Sequence, residues 1–346
     1  MPRHTVAVYG ATGHTGGFVA SEFERRGVVV RRIARRPRAE AGSRKGGEPE
    51  PWAIASCDDP DALDRALGGT DAVVNCAGPF LDTAPAVVEA ALRAGAHYFD
   101  IAAEQRSVRS TLATYGSEAA DRGIVVLPAM AFFGGLADLL ASRICAELPV
   151  IDEILVGVAL DYWHPTAGTR RTGERNTARR VVVSRGRLTP LPSTPTKGRW
   201  RFPLPFGDLP VARVPLSEII TISRHLPAGR IESFMNEAPL DDLRRYETPP
   251  PTAVTPNGRS IQQFVMDVYA SGGGRQRRIT ASGHDIYAVS APLVVEACMR
   301  IVADGPRHGG AFAPAELFEP RSFLAALDAD IRVAPGAEAC PVTAFQ

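Results

Sequence analysis

Three glycines spaced three residues apart, Gly10, Gly13 and Gly16, lie near the start of the chain in the run GATGHTGG. Glycine permits a sharp turn and lets backbone N–H groups come close to a bound group, so this spacing suits the binding of phosphate. The other candidate contacts of this loop are Thr12, His14 and Thr15. The pattern predicts a loop that binds an anion through its backbone, with hydroxyl groups adding hydrogen bonds.

The elements on either side of the loop indicate what the anion is. The strand-like run Thr5–Tyr9 precedes the glycines and the helical stretch His14–Arg26 follows them. A glycine loop between a strand and a helix N-terminus is typical of dinucleotide-binding domains, because the pyrophosphate meets the positive end of the helix dipole. The alternative is a glycine-rich turn that only packs the strand against the helix.

The end of the second predicted strand bears on the choice of dinucleotide. Val28–Ala34 is followed by Arg35 and Arg36, with no Asp or Glu at its tip. An acidic residue in this region usually binds the ribose 2′-hydroxyl of NAD, whereas arginine can hold a 2′-phosphate with paired hydrogen bonds. These residues favour NADP(H), with Arg35 ahead of Arg36. The alternative is a solvated basic strand end.

Two further cofactor contacts are predicted after the third and fourth strands. Asp58 lies where Rossmann proteins often contact the adenine, and it could equally cap the next helix. Ala77, Gly78 and Pro79 follow the fourth strand, where small residues permit close approach to the nicotinamide ribose. A plain strand-to-helix turn also favours Gly-Pro, and both roles are compatible.

A repeated strand–helix pattern must position these residues. The strand-like runs are Thr5–Tyr9, Val28–Ala34, Trp52–Ser56, Asp71–Ala77, His97–Ile101 and Ile124–Leu127. The helical stretches between them are His14–Arg26, Asp61–Leu67, Ala84–Ala94 and Ser107–Arg122. Short apolar strands alternating with helices predict an α/β domain, with a doubly wound parallel Rossmann sheet covered on both faces.

The repeat ends after Pro128, which predicts a second domain of α+β type. A helix is predicted over Gly135–Glu147 and a long strand over Ile151–Leu160. Strand-like pieces and polar loops follow to about residue 288, without a strand–helix repeat. A helix at Ala291–Ala303 and a short helix pair within Pro314–Leu327 complete the pattern.

Composition narrows the class of protein. The net charge is +1, from 39 basic and 38 acidic residues, which argues against a nucleic-acid partner. Five widely spaced cysteines form neither a disulfide framework nor a zinc motif. The chain shows no signal peptide and no apolar run long enough to span a bilayer, so we expect a cytoplasmic protein without a membrane partner.

Several segments together resemble one family, the saccharopine dehydrogenase-like proteins with an N-terminal NADP-binding domain. They are GATGHTGG at 10–17, NCAGPF at 75–80, HYFDIAAE at 97–104 and PAMAFFGGLADLLA at 128–141. The nearer likeness is to the bacterial branch of trans-acting enoyl reductases or saccharopine reductase-like proteins, which ASGHDIYAVSA at 281–291 and GGAFAPAELF at 309–318 also resemble. Residues 160–280 are only loosely similar, so the substrates of lysine metabolism are not carried over.

The resemblance implies an architecture and a reaction. It implies an NADP-binding Rossmann domain over residues 1–128 and a substrate and dimerisation domain around a mixed sheet over residues 129–290. It implies that a helical segment, residues 291–346, returns to the first domain. It also implies NADP(H) as cofactor, reduction of a C=N or activated C=C bond, and a homodimer.

Such a reduction needs a proton donor beside the cofactor, and several side chains are candidates. Asp100, in the fifth strand, and Glu104, just after it, are the first candidates for a cleft, and for Asp100 the alternative is structural hydrogen bonding at the sheet edge. Tyr162 and His164 follow the long strand Ile151–Leu160, and Tyr287 lies further along. For these three the alternative is packing in the core. No Ser/His/Asp or metal-ligand set is apparent.

An arginine-rich run indicates the chemistry of the substrate. It contains Arg170, Arg171, Arg175, Arg179, Arg180, Arg185 and Arg187. Paired arginines would suit an anionic small molecule or an acidic carrier protein, and the alternative is a solvated strand face or a dimer surface. The leading prediction is an NADPH-dependent reductase. The alternatives are a redox sensor that binds NADP without turnover, similar to NmrA-like proteins, and a redox-neutral enzyme with tightly held NADP.

Overall fold

Two β-sheets with helices packed on them make up the computed structural model, which describes residues 4–36, 52–192, 197–306, 308–337 and 339–343. Among these residues no helix combines the length and the apolar character that crossing a bilayer requires.

The first sheet has seven parallel strands. They are β1 (Thr5–Tyr9), β2 (Val29–Ala34), β3 (Trp52–Ile54), β4 (Ala72–Asn75), β5 (His97–Asp100), β6 (Val125–Leu127) and β15 (Gly310–Ala311). Their order in space is β3-β2-β1-β4-β5-β6-β15. Successive strands are added on one side of β1 up to β3 and on its other side from β4 onward, as in a doubly wound Rossmann sheet. The predicted fold class is confirmed, and the short β15 is an addition that the sequence pattern did not predict.

In the described part of the chain, the helices that lie between β1 and β6 in sequence are α1 (His14–Arg25), α2 (Pro60–Leu67), α3 (Phe80–Ala94), α4 (Gln105–Thr114) and α5 (Gly116–Asp121). The helix predicted over Ser107–Arg122 is divided at Tyr115, where Gly116 follows and lowers helix propensity. Helix α3 begins four residues before the predicted Ala84, because the side chain of Glu104 accepts a hydrogen bond from the N–H of Phe80. That stabilising contact comes from a distant segment, so the local sequence could not show it.

The second sheet is mixed, since β7 and β12 are parallel and the other neighbouring strands are antiparallel. Its strands are β7 (Glu153–Leu160), β8 (Val181–Ser184), β9 (Arg187–Pro190), β10 (Lys197–Arg201), β11 (Asp208–Arg213), β12 (Arg230–Asn236), β13 (Gln263–Gly272), β14 (Arg275–His284), β16 (Ile331–Pro335) and β17 (Val342–Thr343). A π-helix at Phe132–Leu136 leads into α6 (Ala137–Cys145). The remaining helices of this region are α7 (Ala167–Arg175), α8 (Ser217–His225) and α9 (Glu237–Arg244).

Strand β7 shows how the second sheet is held between two apolar layers. Its alternate residues Ile154, Val156 and Val158 join the large core that also contains α6 and α8. Leu155 and Ala159 on the other face belong to a smaller cluster around Trp200. Burial on both faces explains why this strand is an uninterrupted apolar run in the sequence.

The C-terminal part of the chain contributes to both domains. Helix α10 (Ser290–Asp304) packs against α1, and β15 extends the first sheet beside β6. After α11 (Pro314–Leu317) and α12 (Pro320–Ala325), strands β16 and β17 pair with β14 and β10 of the second sheet. The segment predicted to return to the first domain therefore also continues into the second, which ties the two sheets together.

Candidate functional site

A cavity of about 1660 Å³ lies along the carboxyl ends of the strands of the first sheet and reaches the second domain. The loops after β1 to β5 form one wall, and α7, the end of β11 and α9 form the other. Ligands of doubly wound sheets bind at this edge. Pockets for drug-sized ligands span roughly 300–1000 Å³, so this cavity has room for a dinucleotide beside a second small molecule.

The glycine loop after β1 is packed too closely for side chains at two positions. Gly10 has a φ of +81°, and a Cβ added to it would lie 2.9 Å from the Cβ of Ala77. A Cβ on Gly16 would overlap the carbonyl oxygen of Gly10. The N–H of Gly10 donates to the carbonyl oxygen of Ile33 at 2.9 Å, which fixes the loop on β2. Gly16 therefore acts by bringing α1 against the strand.

The N-terminus of α1 is open toward a ligand. Gly13 precedes the helix and supplies no side-chain cap, and the first turn contains no acidic residue. The first N–H groups of a helix have no partner within the helix, so they remain available to an anion. The loop residues that line the cavity are Gly10, Thr12, Gly13, His14 and Thr15. The loop fits the pyrophosphate of a dinucleotide.

The predicted contacts after β2 and β3 divide into those that reach the cavity and those that do not. Arg35 lines the cavity, whereas Arg36 is exposed and lies outside its lining. Asp58 also lines the cavity. The alternative role for Asp58, capping α2, belongs instead to Asp59, whose Oδ1 accepts from the N–H of Ala62 at 2.9 Å.

The turn after β4 is held rigidly. The N–H of Ala77 donates to Oδ1 of Asn75 at 3.0 Å, and the hydroxyl of Thr83 donates to the carbonyl oxygen of Ala77 at 2.6 Å. A Cβ on Gly78 would lie 2.7 Å from Oγ1 of Thr172 in α7. A side chain at position 78 would force Thr172 to move, because α7 lies close over the turn. The members of this turn that line the cavity include Ala77, Gly78 and Pro79.

Comparison with known proteins agrees with this geometry. Residues 6–127 match the family described as the saccharopine dehydrogenase NADP binding domain. The first domain belongs to this family. A human saccharopine dehydrogenase-like oxidoreductase is 32% identical over 156 residues, which cover 40% of this chain and 36% of the human protein. A probable mitochondrial saccharopine dehydrogenase-like oxidoreductase of Arabidopsis thaliana is 25% identical over 282 residues, or 70% of this chain and 61% of that protein.

The chain therefore matches less than two thirds of the length of either relative. Saccharopine dehydrogenase (L-Glu forming) of Saccharomyces cerevisiae has the same fold, with a TM-score of 0.66 and 14% identity over 96% of this chain and 100% of the yeast chain. The predicted resemblance is confirmed. The saccharopine dehydrogenase-type domain, with its open glycine loop, is an NAD(P)(H)-binding domain.

The prediction that Asp100 faces the cleft is wrong. Asp100 is fully buried and does not line the cavity. Its carboxylate accepts hydrogen bonds from the hydroxyl of Tyr98 at 2.8 Å and from the N–H groups of Ala102 and Ala129 at 3.0 and 2.7 Å. Burial raises the pKa of Asp100 to about 6, while these three donors favour the charged form. Asp100 joins the end of β5 to the segment after β6.

The predicted pair Tyr162 and His164 lies outside the cavity lining. Their rings contact each other, with centroids 4.5 Å apart. Trp163 between them lines the cavity instead. The cavity therefore has an apolar wall at Trp163, and the two candidate acids lie outside its lining.

Tyr287 does line the cavity, but its hydroxyl is engaged. It accepts hydrogen bonds from the indole N–H of Trp163 at 2.8 Å and from the N–H of Thr166 at 3.4 Å. A hydroxyl has one proton, which is left for Oγ1 of Thr169 at 2.9 Å. Tyr287 thereby holds the N-terminus of α7 in place. Proton donation by Tyr287 would require this network to break.

The far end of the cavity is basic, and the structure divides the arginine-rich run. Arg170, Arg171 and Arg180 line the cavity, whereas Arg175 forms an ion pair with Asp82 at 3.0 Å that joins α7 to α3. Arg180 is open to the cavity, and burial in the surrounding protein lowers the pKa of its guanidinium.

Arg213, at the end of β11, completes this basic end and was not predicted. It lines the cavity, and its Nε is buried without a hydrogen-bond partner among the described residues. Its Nη2 lies 3.4 Å from a carboxylate oxygen of Glu232. An isolated arginine in an antiparallel strand carries no local signal of a site. Only the pairing of β11 with β12 brings it to the cavity.

Proposed function

We propose that this protein is an NADPH-dependent reductase of a C=N or activated C=C bond in a small anionic molecule. The observation that supports this proposal most is the continuity of the cavity, which runs from the glycine loop past Glu104 to Arg180 and Arg213. A dinucleotide on the loop would direct its nicotinamide toward the basic end, as in other doubly wound domains. The reduced nicotinamide would supply the hydride.

The chain's own residues would bind, orient and shield the reactants. The N-terminus of α1 would hold the pyrophosphate, and Arg35 would hold a ribose 2′-phosphate. Arg180 and Arg213 would orient the anionic end of the substrate, because a guanidinium can hold a carboxylate or phosphate with paired hydrogen bonds. Helix α7 and Trp163 would exclude water from the reacting centre.

Absorbance of NADPH during incubation with matched substrates tests the proposed reaction. The panel pairs imines and enones that carry a carboxylate or phosphate with neutral analogues, and includes carrier-bound acyl groups. We expect NADPH oxidation with an anionic member and little with its neutral analogue. NADPH binding without oxidation by any member would favour the redox sensor, and product without net cofactor consumption would favour the redox-neutral enzyme. The cytoplasmic location and the homodimer stay predictions.

Arg35→Ala is expected to weaken NADPH binding roughly 10- to 100-fold, the equivalent of one or two charge-assisted hydrogen bonds to the 2′-phosphate. NADH lacks this phosphate, so its affinity should change little. Titration of the purified variant with each cofactor measures the ratio of the dissociation constants of NADH and NADPH. Arg36→Ala is the matched control, because Arg36 lies next in the chain but outside the cavity lining. An unchanged preference in Arg35→Ala would remove this residue from the phosphate site.

A further inference from the structure

Glu104 links the two turns that border the predicted nicotinamide position. It lies between β5 and α4, and it is 1% exposed. Its Oε1 accepts a hydrogen bond from the N–H of Phe80 at 3.0 Å, the first residue of α3. Pro79, which precedes that helix, has no side chain that can cap it. Glu104 is thereby fastened to the turn formed by Cys76–Pro79, and it lines the same cavity.

The second carboxyl oxygen of Glu104 is left without a partner. Oε2 is buried and forms no hydrogen bond within the part of the chain that the structure describes. A buried carboxylate oxygen without a donor is costly, and the cost is relieved when the carboxyl carries a proton or when a cation lies beside it. Oε1 therefore has a structural role, and Oε2 is available to a proton or a ligand.

The groups around Glu104 bring the pKa of its carboxyl close to neutral pH. Burial raises the pKa of Glu104, the N–H groups of Phe80 and Leu81 in α3 lower it, and the negative charge of Asp100 raises it, with a net pKa of about 7. Cys76, after β4, and Asp82, in α3, are the other titratable groups that line this part of the cavity. Burial raises the pKa of Cys76, so its thiol stays neutral.

We propose that Glu104 responds to the charge of the nicotinamide ring: it carries a proton when the neutral reduced ring is bound and loses that proton when the cationic oxidised ring is bound. This inference rests on the cofactor binding in the proposed function. The only cationic part of NADP⁺ is its ring, and a positive charge within about 4–6 Å of a carboxyl favours the ionised form. Phosphates and adenine are common to both cofactors, so they do not produce this difference.

The response also balances the proposed reduction. Glu104 breaks its O–H bond as an N–H bond forms on an imine, or a C–H bond on an enone. The hydride would form a C–H bond at the other atom of the double bond. The substrate would thereby gain two electrons and the nicotinamide would be oxidised. Glu104 is left as a carboxylate beside a cationic ring, and it regains a proton from solvent after the oxidised cofactor leaves.

The ratio of two dissociation constants tests this inference without turnover. Binding of NADP⁺ and NADPH to the full chain is titrated separately between pH 5.5 and 8.5. The 2′-phosphate titrates near pH 6 in both cofactors, so its contribution cancels in the ratio Kd(NADPH)/Kd(NADP⁺). We expect this ratio to rise roughly fivefold or more with pH, because NADP⁺ prefers the ionised Glu104 and one pKa unit corresponds to a tenfold change in affinity.

Glu104→Gln should bind both cofactors with a ratio that is independent of pH. Glutamine keeps the oxygen that accepts from Phe80 and has no titrating proton. Glu218→Gln is the matched control. Glu218 is also buried, its Oε2 also has no hydrogen-bond partner among the described residues, and burial raises its pKa, but it does not line this cavity. In that variant the ratio Kd(NADPH)/Kd(NADP⁺) should rise with pH as it does in the wild type.

Proton release provides a second measurement that needs no variant. Near pH 7, in weak buffer with an indicator dye, NADP⁺ binding should release a fraction of a proton per site more than NADPH binding does. Three results would overturn the inference without affecting cofactor binding. They are a ratio Kd(NADPH)/Kd(NADP⁺) that does not change with pH in the wild type, equal proton release by both cofactors, and a pH-dependent ratio in Glu104→Gln. A wild-type chain that binds neither cofactor would overturn the proposed function as well.

Discussion

Gly16→Ala is expected to weaken NADP(H) binding roughly 10- to 100-fold, the equivalent of one or two hydrogen bonds to a charged phosphate. The added methyl group would overlap the carbonyl oxygen of Gly10 and lie 3.1 Å from the Cα of Ala11. Both neighbours are backbone, so the start of α1 must move away from β1 and the N–H groups that face the cavity move with it. Fluorescence titration with NADPH measures the loss.

The same substitution should lower the free energy of unfolding by about 1–3 kcal/mol, the usual cost of overpacking a close contact. Gly17→Ala is the matched control, since a Cβ there would have no atom within 4 Å. It adds the same methyl group one position later in the same helix, where alanine favours helix formation. Urea unfolding of both variants separates the effects. Equal behaviour of the two variants would contradict the packing role of Gly16.

Asp100→Ala is expected to lower the free energy of unfolding by about 3–5 kcal/mol, because buried donors left without an acceptor each cost about 1–3 kcal/mol. The donors are the N–H groups of Ala102 and Ala129 and the hydroxyl of Tyr98. Denaturant unfolding followed by circular dichroism measures the change. Asp121→Ala is the control for losing an exposed carboxylate from the same domain, and it should change stability by less than about 0.5 kcal/mol.

Asp100→Asn separates a structural role from a catalytic one. The amide oxygen can still accept from both backbone N–H groups, and the amide nitrogen can donate to the oxygen of Tyr98. We expect this variant to fold with a smaller loss than Asp100→Ala and to bind NADPH with nearly wild-type affinity. A folded Asp100→Asn protein that binds NADPH but cannot reduce an accepted substrate would show that Asp100 takes part in the reaction.

Local sequence patterns were sufficient to predict the strands and helices of the first domain, but they predicted much less of the second. Strands such as Thr5–Tyr9 and helices such as His14–Arg25 follow from short-range periodicity, so their prediction needed few distant contacts. The order of strands in the mixed sheet depends on pairings such as β7 with β12, which are far apart in the chain. The two-residue strand β15 exists only because β6 offers an open edge, and no pattern within Gly310–Ala311 reveals it.

Candidate residues show the same division. Arg35, Asp58 and Gly78 lie after parallel strands, whose carboxyl ends must meet at one edge, and all three line the cavity. Tyr162 and His164 follow a strand and carry suitable proton donors, but they lie outside the cavity lining. The direction of a side chain depends on the neighbouring elements, and here Trp163 was turned toward the cavity in their place.

The sequence by itself determined the Rossmann domain and its glycine loop, because each depends on residues that are close together in the chain. The tertiary structure alone decided that Gly16 brings α1 against the loop, that Asp100 is a buried structural group and that Glu104 keeps one oxygen without a partner. It also brought Arg213 to the cavity. Burial and hydrogen-bond partners arise from segments distant in sequence, so they exist only once the two domains have packed together.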